Sequence, residues 1–238
     1  MNQINLGLGT ASWHRLENRK QVDRLLALSR DLGYSFIDTS PYYSGGRNQW
    51  LLRNSKLKSD FDIIVKVGIP YTPYLRFERI FHPTSWDSNE TQYLNPKSIR
   101  SDVTRSIKRL GLSEVSTILL HSPPIEQNRG KFDEYVTVMQ EMKKSGLCQS
   151  IGFSSDTIST QILEWCSVIE SPIDLVPHKH RQPSIEHVFF GISRDLRNSL
   201  KLLENWTCRD ICKFSFLAGS TDPKQLERIQ KFAINPLN

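Results

Sequence analysis

Cysteine is scarce: the 238 residues hold four, Cys148, Cys166, Cys208 and Cys212. So few, so widely spread, exclude a disulfide framework. The one close pair, Cys208 and Cys212, has no second pair or neighbouring histidine to complete a zinc site, so reduced thiols and no metal centre are expected. No apolar run approaches the roughly 20 residues that cross a bilayer, and the opening MNQINLGLGTASW has neither the basic start nor the apolar stretch of a signal peptide. No membrane contact and a cytoplasmic location are therefore expected. Charge of one sign is nowhere concentrated: 31 basic and 25 acidic residues give a formal +6, scattered along the chain. That speaks against a nucleic-acid partner; the mild positive excess suits an anionic small ligand or serves solubility alone, and charge by itself does not decide between them. Internal repeats, low-complexity tracts and domain linkers are also missing, so residues 1–238 are expected to form a single domain around one core.

What is present is alternation. Short apolar runs alternate with amphipathic segments, the pattern of parallel strands joined by crossover helices. Strands are expected at Ile4 to Leu8, a run ending at Asp38, Ile63 to Val67, Val115 to Leu120, Ser150 to Phe153, Ile173 to Val176, His187 to Phe190 and Ile211 to Leu217. Between them, Val22, Leu25, Leu26 and Leu32 fall on one helical face, as do Ile99, Val103, Ile107 and Leu110 after Pro96. A third such face carries Phe132, Tyr135, Val136, Met139 and Met142. Further helices are expected from Thr157 to Val168, Arg194 to Trp206 and Pro223 to Phe232. Eight strands close a (β/α)8 TIM barrel. The stretch from Pro177 to Glu186 is too short for a full crossover helix, so the sixth helix is expected to be missing or vestigial. The long segment Gly68 to Asn95 is expected to border the active site.

In a barrel of this kind the strands' carboxyl ends converge on one mouth, where function resides. Asp38, Lys66 and His121 all stand at such ends, on strands two, three and four, and Tyr43 lies five residues beyond Asp38. A lysine inside Ile-Ile-Val-Lys is costly unless a carboxylate balances it, and Asp38 on the adjacent strand is the natural partner. That pair alone is equally compatible with a structural role.

Together these residues resemble the aldo-keto reductase family, of which this chain looks like a compact member. The resemblance rests on ordered motifs: Leu6-Gly7-Leu8-Gly9-Thr10; Phe36-Ile37-Asp38-Thr39-Ser40 with Tyr43; Ile64-Val65-Lys66-Val67-Gly68; Ser106 to Gly111; Leu119-Leu120-His121-Ser122-Pro123; Lys144-Ser145-Gly146; and Ile151-Gly152-Phe153-Ser154. It implies an NAD(P)H-dependent oxidoreductase interconverting a carbonyl, aldehyde or ketone, and an alcohol. Tyr43 would be the general acid/base, Lys66 the cation that makes its deprotonated form accessible, Asp38 the carboxylate holding Lys66, and His121 the residue positioning the substrate oxygen.

For the cofactor the resemblance implies NADP(H), with NAD(H) open, held by Thr10, Ser154, Ser155, Ser193, Arg194, Gly219, Ser220, Thr221 and Gln225. Ser155 stands where relatives carry Asn, and Pro177 falls where they end the sixth strand with Gln. Small residues and Asp222-Pro223 before a helix suit phosphate, because free amides at a helix start attract anions. No basic residue matches the usual contact to the 2′-phosphate, for which Lys224 or Arg228 would have to substitute. Trp13, Tyr71, Tyr74, Phe77 and Trp86 are either pocket walls or loop packing. Two rivals stand beside this reading: a non-catalytic or regulatory barrel of the same family, and a lyase using Lys66 as a Schiff-base amine. The residues do not set the substrate or the oligomeric state.

Overall fold

The computed structural model describes residues 4–69, 95–123, 129–156, 165–172, 184–192 and 214–234. Its strands are β1 (Asn5–Gly9), β2 (Tyr34–Thr39), β3 (Asp62–Val67), β4 (Val115–His121), β5 (Cys148–Ser154), β6 (Val168–Pro172), β7 (Glu186–Phe190) and β8 (Phe214–Ala218). Each pairs in parallel with the next, and β8 returns to β1, so the sheet closes as the expected eight-stranded barrel.

The described helices are α1 (Arg19–Asp31), α2 (Arg47–Arg53), α3 (Pro96–Leu110), α4 (Arg129–Lys144) and α5 (Pro223–Ile234). Their ends follow local chemistry. Asn18 accepts the Gln21 N–H at the start of α1. Asn95 accepts the Ser98 N–H ahead of Pro96, and Gly111 ends α3 in the left-handed region at φ +67°. Such caps satisfy the groups a helix terminus leaves open. The expected apolar faces are the buried ones, with Val22, Leu25, Leu26, Ile99, Val103, Ile107 and Leu110 packed against the outside of the barrel.

Inside the barrel, Phe36, Ile64, Leu119, Val168, Val188 and Leu217 form a separate apolar layer beneath the mouth. β1 and β5 contribute glycines there instead of side chains. A Cβ on Gly7 would lie 2.0 Å from the Phe36 ring, and one on Gly152 would lie 1.7 Å from the Val168 carbonyl oxygen. Phe36 thus fills the room left by Gly7, while Gly152 lets the β6 backbone close in. Burying each of these large side chains is worth about 1.5–3 kcal/mol, and this layer seals the barrel below the polar residues above it.

Two expectations about the chain's order are corrected. The sixth strand is Val168–Pro172, not Ile173 to Val176, and the preceding helix therefore does not reach Val168. The run Ile173-Asp174-Leu175-Val176 is the longer mostly apolar one, but the strand lies just before it and ends on Pro172, where a missing N–H costs little. Residues 173–185 consequently separate β6 from β7, a longer connection than the ten residues expected; the expectation of a missing or vestigial sixth helix between Pro177 and Glu186 falls mostly outside the described residues. So do most of the long segment 68–95, with Tyr71, Tyr74, Phe77 and Trp86, and the helix at 194–206. β8 is Phe214–Ala218, shifted slightly from the expected run.

Cys148 and Cys166 are buried free thiols, and burial raises Cys148 to about 11 and Cys166 further still, which makes both unreactive; Cys208 and Cys212 lie outside the described residues. Among the described residues no helix is long and apolar enough to cross a membrane.

Candidate active site

The strand register sets out the mouth of the barrel. Asp38 pairs across to Ile64 on β3, two residues before Lys66. On the far side His121, Ser154 and Glu170 form one row across β4, β5 and β6. Lys66 stretches between these walls. Its Nζ lies 2.7 Å from Asp38 Oδ1 and 2.5 Å from Glu170 Oε1, and the three side chains are 4%, 1% and 1% exposed. The partner expected for Lys66 is therefore present, and a second one accompanies it. The small residues of β5 make this reach possible: neither Gly152 nor Ser154 blocks the space between β4 and β6, and the Ser154 hydroxyl donates to Glu170 Oε1 at 3.0 Å.

Tyr43 enters from the segment after β2. It begins a 3-10 turn, Tyr43–Gly46, in which Ser44, Gly45 and Gly46 have φ of 48°, 63° and 78°. Three successive left-handed residues turn the chain sharply, and two of them are glycine because that region is penalised for other residues. A Cβ on Gly46 would lie 2.3 Å from the Arg109 guanidinium, so this side chain of α3 lies directly on the turn; its Nη1 donates to Gln49 Oε1 at 3.2 Å. The result places the Tyr43 ring 5.8 Å from the His121 ring, edge to face, with Lys66 Nζ 5.5 Å from the Tyr43 ring centre. All four residues expected to carry chemistry are thus neighbours.

Two carboxylates against one ammonium leave this dry site with an excess negative charge. Burial raises Asp38 to about 8, the neighbouring Glu170 charge adds to the rise, and Lys66 opposes it. Lys66 is desolvated, which on its own lowers a lysine, but Asp38, Glu170 and Tyr43 outweigh that and hold it firmly protonated. Tyr43 is pushed well above the usual phenol value, first by burial, with Lys66 acting downward and both carboxylates upward. This corrects the expectation that Lys66 makes the phenolate accessible near neutrality: burial of the hydroxyl, with the two carboxylates adding to it, outweighs the Lys66 charge, so Tyr43 remains a phenol.

The residues expected at the cofactor fare unequally. Thr10, at the end of β1, is fully buried; its hydroxyl donates to Thr39 Oγ1 at 3.0 Å and its carbonyl accepts from Asn48 at 2.7 Å. It holds the mouth together rather than facing an open space. Ser154 and Ser155 sit beside Glu170, Ser155 donating its backbone N–H to the Glu170 carbonyl at 2.9 Å. Gly219, Ser220 and Thr221 follow β8 at the same end of the barrel, and a Cβ on Gly219 would meet nothing within 4 Å. The amides of α5 are not free, however. Lys224 N–H donates to Asp222 Oδ1, and those of Gln225 and Leu226 donate to the Asp222 carbonyl, so these three amides are not the open anion-attracting groups expected. Gln225 is partly exposed on the first turn of α5. Ser193, Arg194 and Pro177 lie outside the described residues. Trp13, weighed as a pocket wall, is fully buried in the outer core.

Glu170 is the site residue that sequence reasoning missed. The displaced sixth strand left it in a connection, and its signal was faint: a lone acid after Val168-Ile169, without an apolar residue on its far side. No local pattern says that a side chain on strand six reaches a lysine on strand three.

The aldo/keto reductase family model matches residues 5–181. An NADH-specific methylglyoxal reductase of Escherichia coli K12 is 25% identical over 200 residues, 80% of this chain and 60% of that protein. An uncharacterized oxidoreductase of Bacillus subtilis 168, YqkF, is 27% identical over 155 residues, 63% of this chain and 44% of that one. The chain thus spans about three fifths or less of the length of these curated relatives. Among solved structures, a Pseudomonas aeruginosa protein assigned provisionally to the aldo-keto reductases superposes with a TM-score of 0.72 at 22% identity, covering 99% of this chain and 92% of that one. A Bacillus halodurans aldo-keto reductase in its holo form gives 0.68 at 17% identity, covering 97% and 86%. These two likenesses speak to the barrel alone; the family match, extending from β1 past β6 and so across every strand that supplies the Lys66 cluster, makes this chain a member of the aldo/keto reductase family.

Proposed function

We propose that the chain is a nicotinamide-dependent oxidoreductase acting on a small carbonyl compound, with Tyr43 as proton donor. The observation that carries this reading is the grouping of Tyr43, His121 and Lys66 at the barrel mouth, with Lys66 charged and Tyr43 held as a phenol. Reducing a carbonyl requires a hydride at carbon and a proton at oxygen. A reduced nicotinamide dinucleotide supplies the hydride when bound. Gly219, with open space around it, and the hydroxyls of Ser220 and Thr221 fit a phosphate of such a cofactor, and Ser154 and Ser155 lie on the opposite rim beside the reacting residues.

His121 orients the substrate oxygen toward the Tyr43 hydroxyl, and Tyr43 gives up its proton as negative charge develops there. Lys66 stabilises the phenolate left behind, and Asp38 keeps Lys66 charged and in place. Held as a phenol, Tyr43 is in the protonation state that a proton donor to a carbonyl oxygen requires. Because the E. coli relative is NADH-specific, NADH stands beside NADPH as a cofactor here.

Titration with each nucleotide, followed by nicotinamide fluorescence, tests this. Saturable binding of one or both is expected, followed by carbonyl-dependent oxidation of the bound nucleotide with methylglyoxal and simple aldehydes. A folded chain that binds neither would overturn the oxidoreductase reading in favour of a non-catalytic barrel.

A further inference from the structure

The second carboxylate on Lys66 has no role in the chemistry so far described, yet it changes the charge of the site. An ammonium has three N–H donors. Asp38 and Glu170 engage two of them, and Tyr43 hydrogen-bonds to the same ammonium. The outer oxygens, Asp38 Oδ2 and Glu170 Oε2, are buried and find no donor among the described residues. Two ionised carboxylates this close, each with an unmet acceptor, repel one another at high cost in a site closed to water. One added proton removes the excess charge and turns one carboxyl into a donor for the other, as in any pair of carboxylates forced to share a site.

We propose that Glu170 is a positioning residue that acts through Lys66: with Asp38 it holds one proton in the resting enzyme, and this store resupplies Tyr43 after Tyr43 has protonated the substrate. The proposal rests on the oxidoreductase reading for its second half only. When the Tyr43 O–H bond breaks, its proton forms the new O–H bond of the product and a phenolate remains. A Lys66 N–H then passes its proton to the phenolate oxygen, and the carboxyl proton passes to the Lys66 amine. What is left is the Lys66 ammonium with two carboxylates, and water restores the missing proton. No electrons move in this relay.

The other groups facing Glu170 do not supply that proton. Ser154 on β5 already donates to Oε1. His121 on β4 lies at the Tyr43 side. From β7, Val188 stands opposite Glu170, while Glu186 accepts from Ser215 and His187 stacks on Phe189. The pair is also consistent with the rise of Asp38 to about 8, part of which comes from a carboxyl hydrogen bond with Glu170.

Infrared titration of the full chain in D2O, without cofactor or substrate, reads the store directly. A buried protonated carboxyl band that fades as pH rises through about 8 is expected, and is expected to be absent from Glu170→Gln. Asp102, raised to about 6 by burial, fades earlier and is removed by Asp102→Asn. No band titrating above Asp102 in the wild-type chain, or one unchanged in Glu170→Gln, overturns the shared proton. In turnover, the alkaline fall of kcat is expected to move downward by a unit or more in Glu170→Gln, because Asp38 then loses the neighbouring negative charge that raises its affinity for the proton. An unmoved profile overturns the resupply. Should Glu170→Gln not fold, the wild-type infrared titration still decides whether the proton is there. A titrating band in a chain that binds neither nucleotide overturns the resupply together with the oxidoreductase reading, while the shared proton stands.

Discussion

Replacing Lys66 with methionine removes the ammonium that Asp38 and Glu170 share while keeping most of the apolar stem. Both carboxylates are then buried without a cation, in positions 1% exposed. Breaking a buried ion pair by removing one partner costs about 3–5 kcal/mol, more than the same change would at a surface. The loss is bounded because the orphaned carboxylates take up protons. Where the native trio holds one proton, the mutant pair is expected to hold two, so the difference in stability should grow by about 1.4 kcal/mol per pH unit. The direction follows from the sign of the shift. A carboxylate whose folded affinity for protons is raised loses stability as pH climbs from its unfolded value of about 4 toward its folded one, and Asp38 reaches about 8 even with Lys66 present. Urea unfolding followed by circular dichroism at pH about 5.5 and about 8 measures this, with a melting temperature lower by about 6–20 °C near neutrality for a chain of this length. A loss below about 1 kcal/mol at the higher pH, or one equal at both, would refute the claim that the trio is a dry, charge-imbalanced cluster.

Tyr43→Phe should bind nucleotide within about twofold of the wild type while carbonyl turnover falls about 10²- to 10⁴-fold, measured by steady-state kinetics; retained turnover would remove Tyr43 from the proton step. Gly152→Ala places a methyl 1.7 Å from the Val168 carbonyl oxygen, and should cost more than about 3 kcal/mol by urea unfolding. A loss under about 1 kcal/mol would mean that β5 and β6 do not approach this closely. Ser44→Gly should gain up to about 1 kcal/mol, since Ser44 holds φ +48°. Ser44→Val should instead lower stability and turnover together by displacing the Tyr43 ring, and full activity in that variant would show that the turn does not set its position.

Much of the barrel was legible in the chain because its causes are local. Val22, Leu25 and Leu26, or Ile99, Val103 and Ile107, repeat at helical spacing whatever surrounds them, and Asn95-Pro96 and Gly111 punctuate their helix with the same local chemistry. The expectation for β6 fails for an equally local reason: Ile173-Asp174-Leu175-Val176 is the longer mostly apolar run, while the true strand carries Glu170 and Ser171 after Val168-Ile169. Asp38, Tyr43, Lys66 and His121 were readable because three of them interrupt apolar strands and the fourth keeps a fixed offset.

The sequence by itself determined that a charged lysine inside a strand needs a carboxylate, since desolvation demands it wherever the strand ends up. Which carboxylates answer, and how many, was decided by closure of the sheet. Glu170 lies 104 residues beyond Lys66, and only the curvature of β3 to β6, with no large side chain at Gly152 or Ser154, brings its Oε1 to the ammonium. Closure also reversed the sign of an argument. From sequence, Lys66 lowers the affinity of Tyr43 for its proton; in the barrel, burial and a second negative charge raise it. Composition and spacing specify which charges exist, but their balance depends on distance and on exclusion of water, and both are properties of the closed barrel.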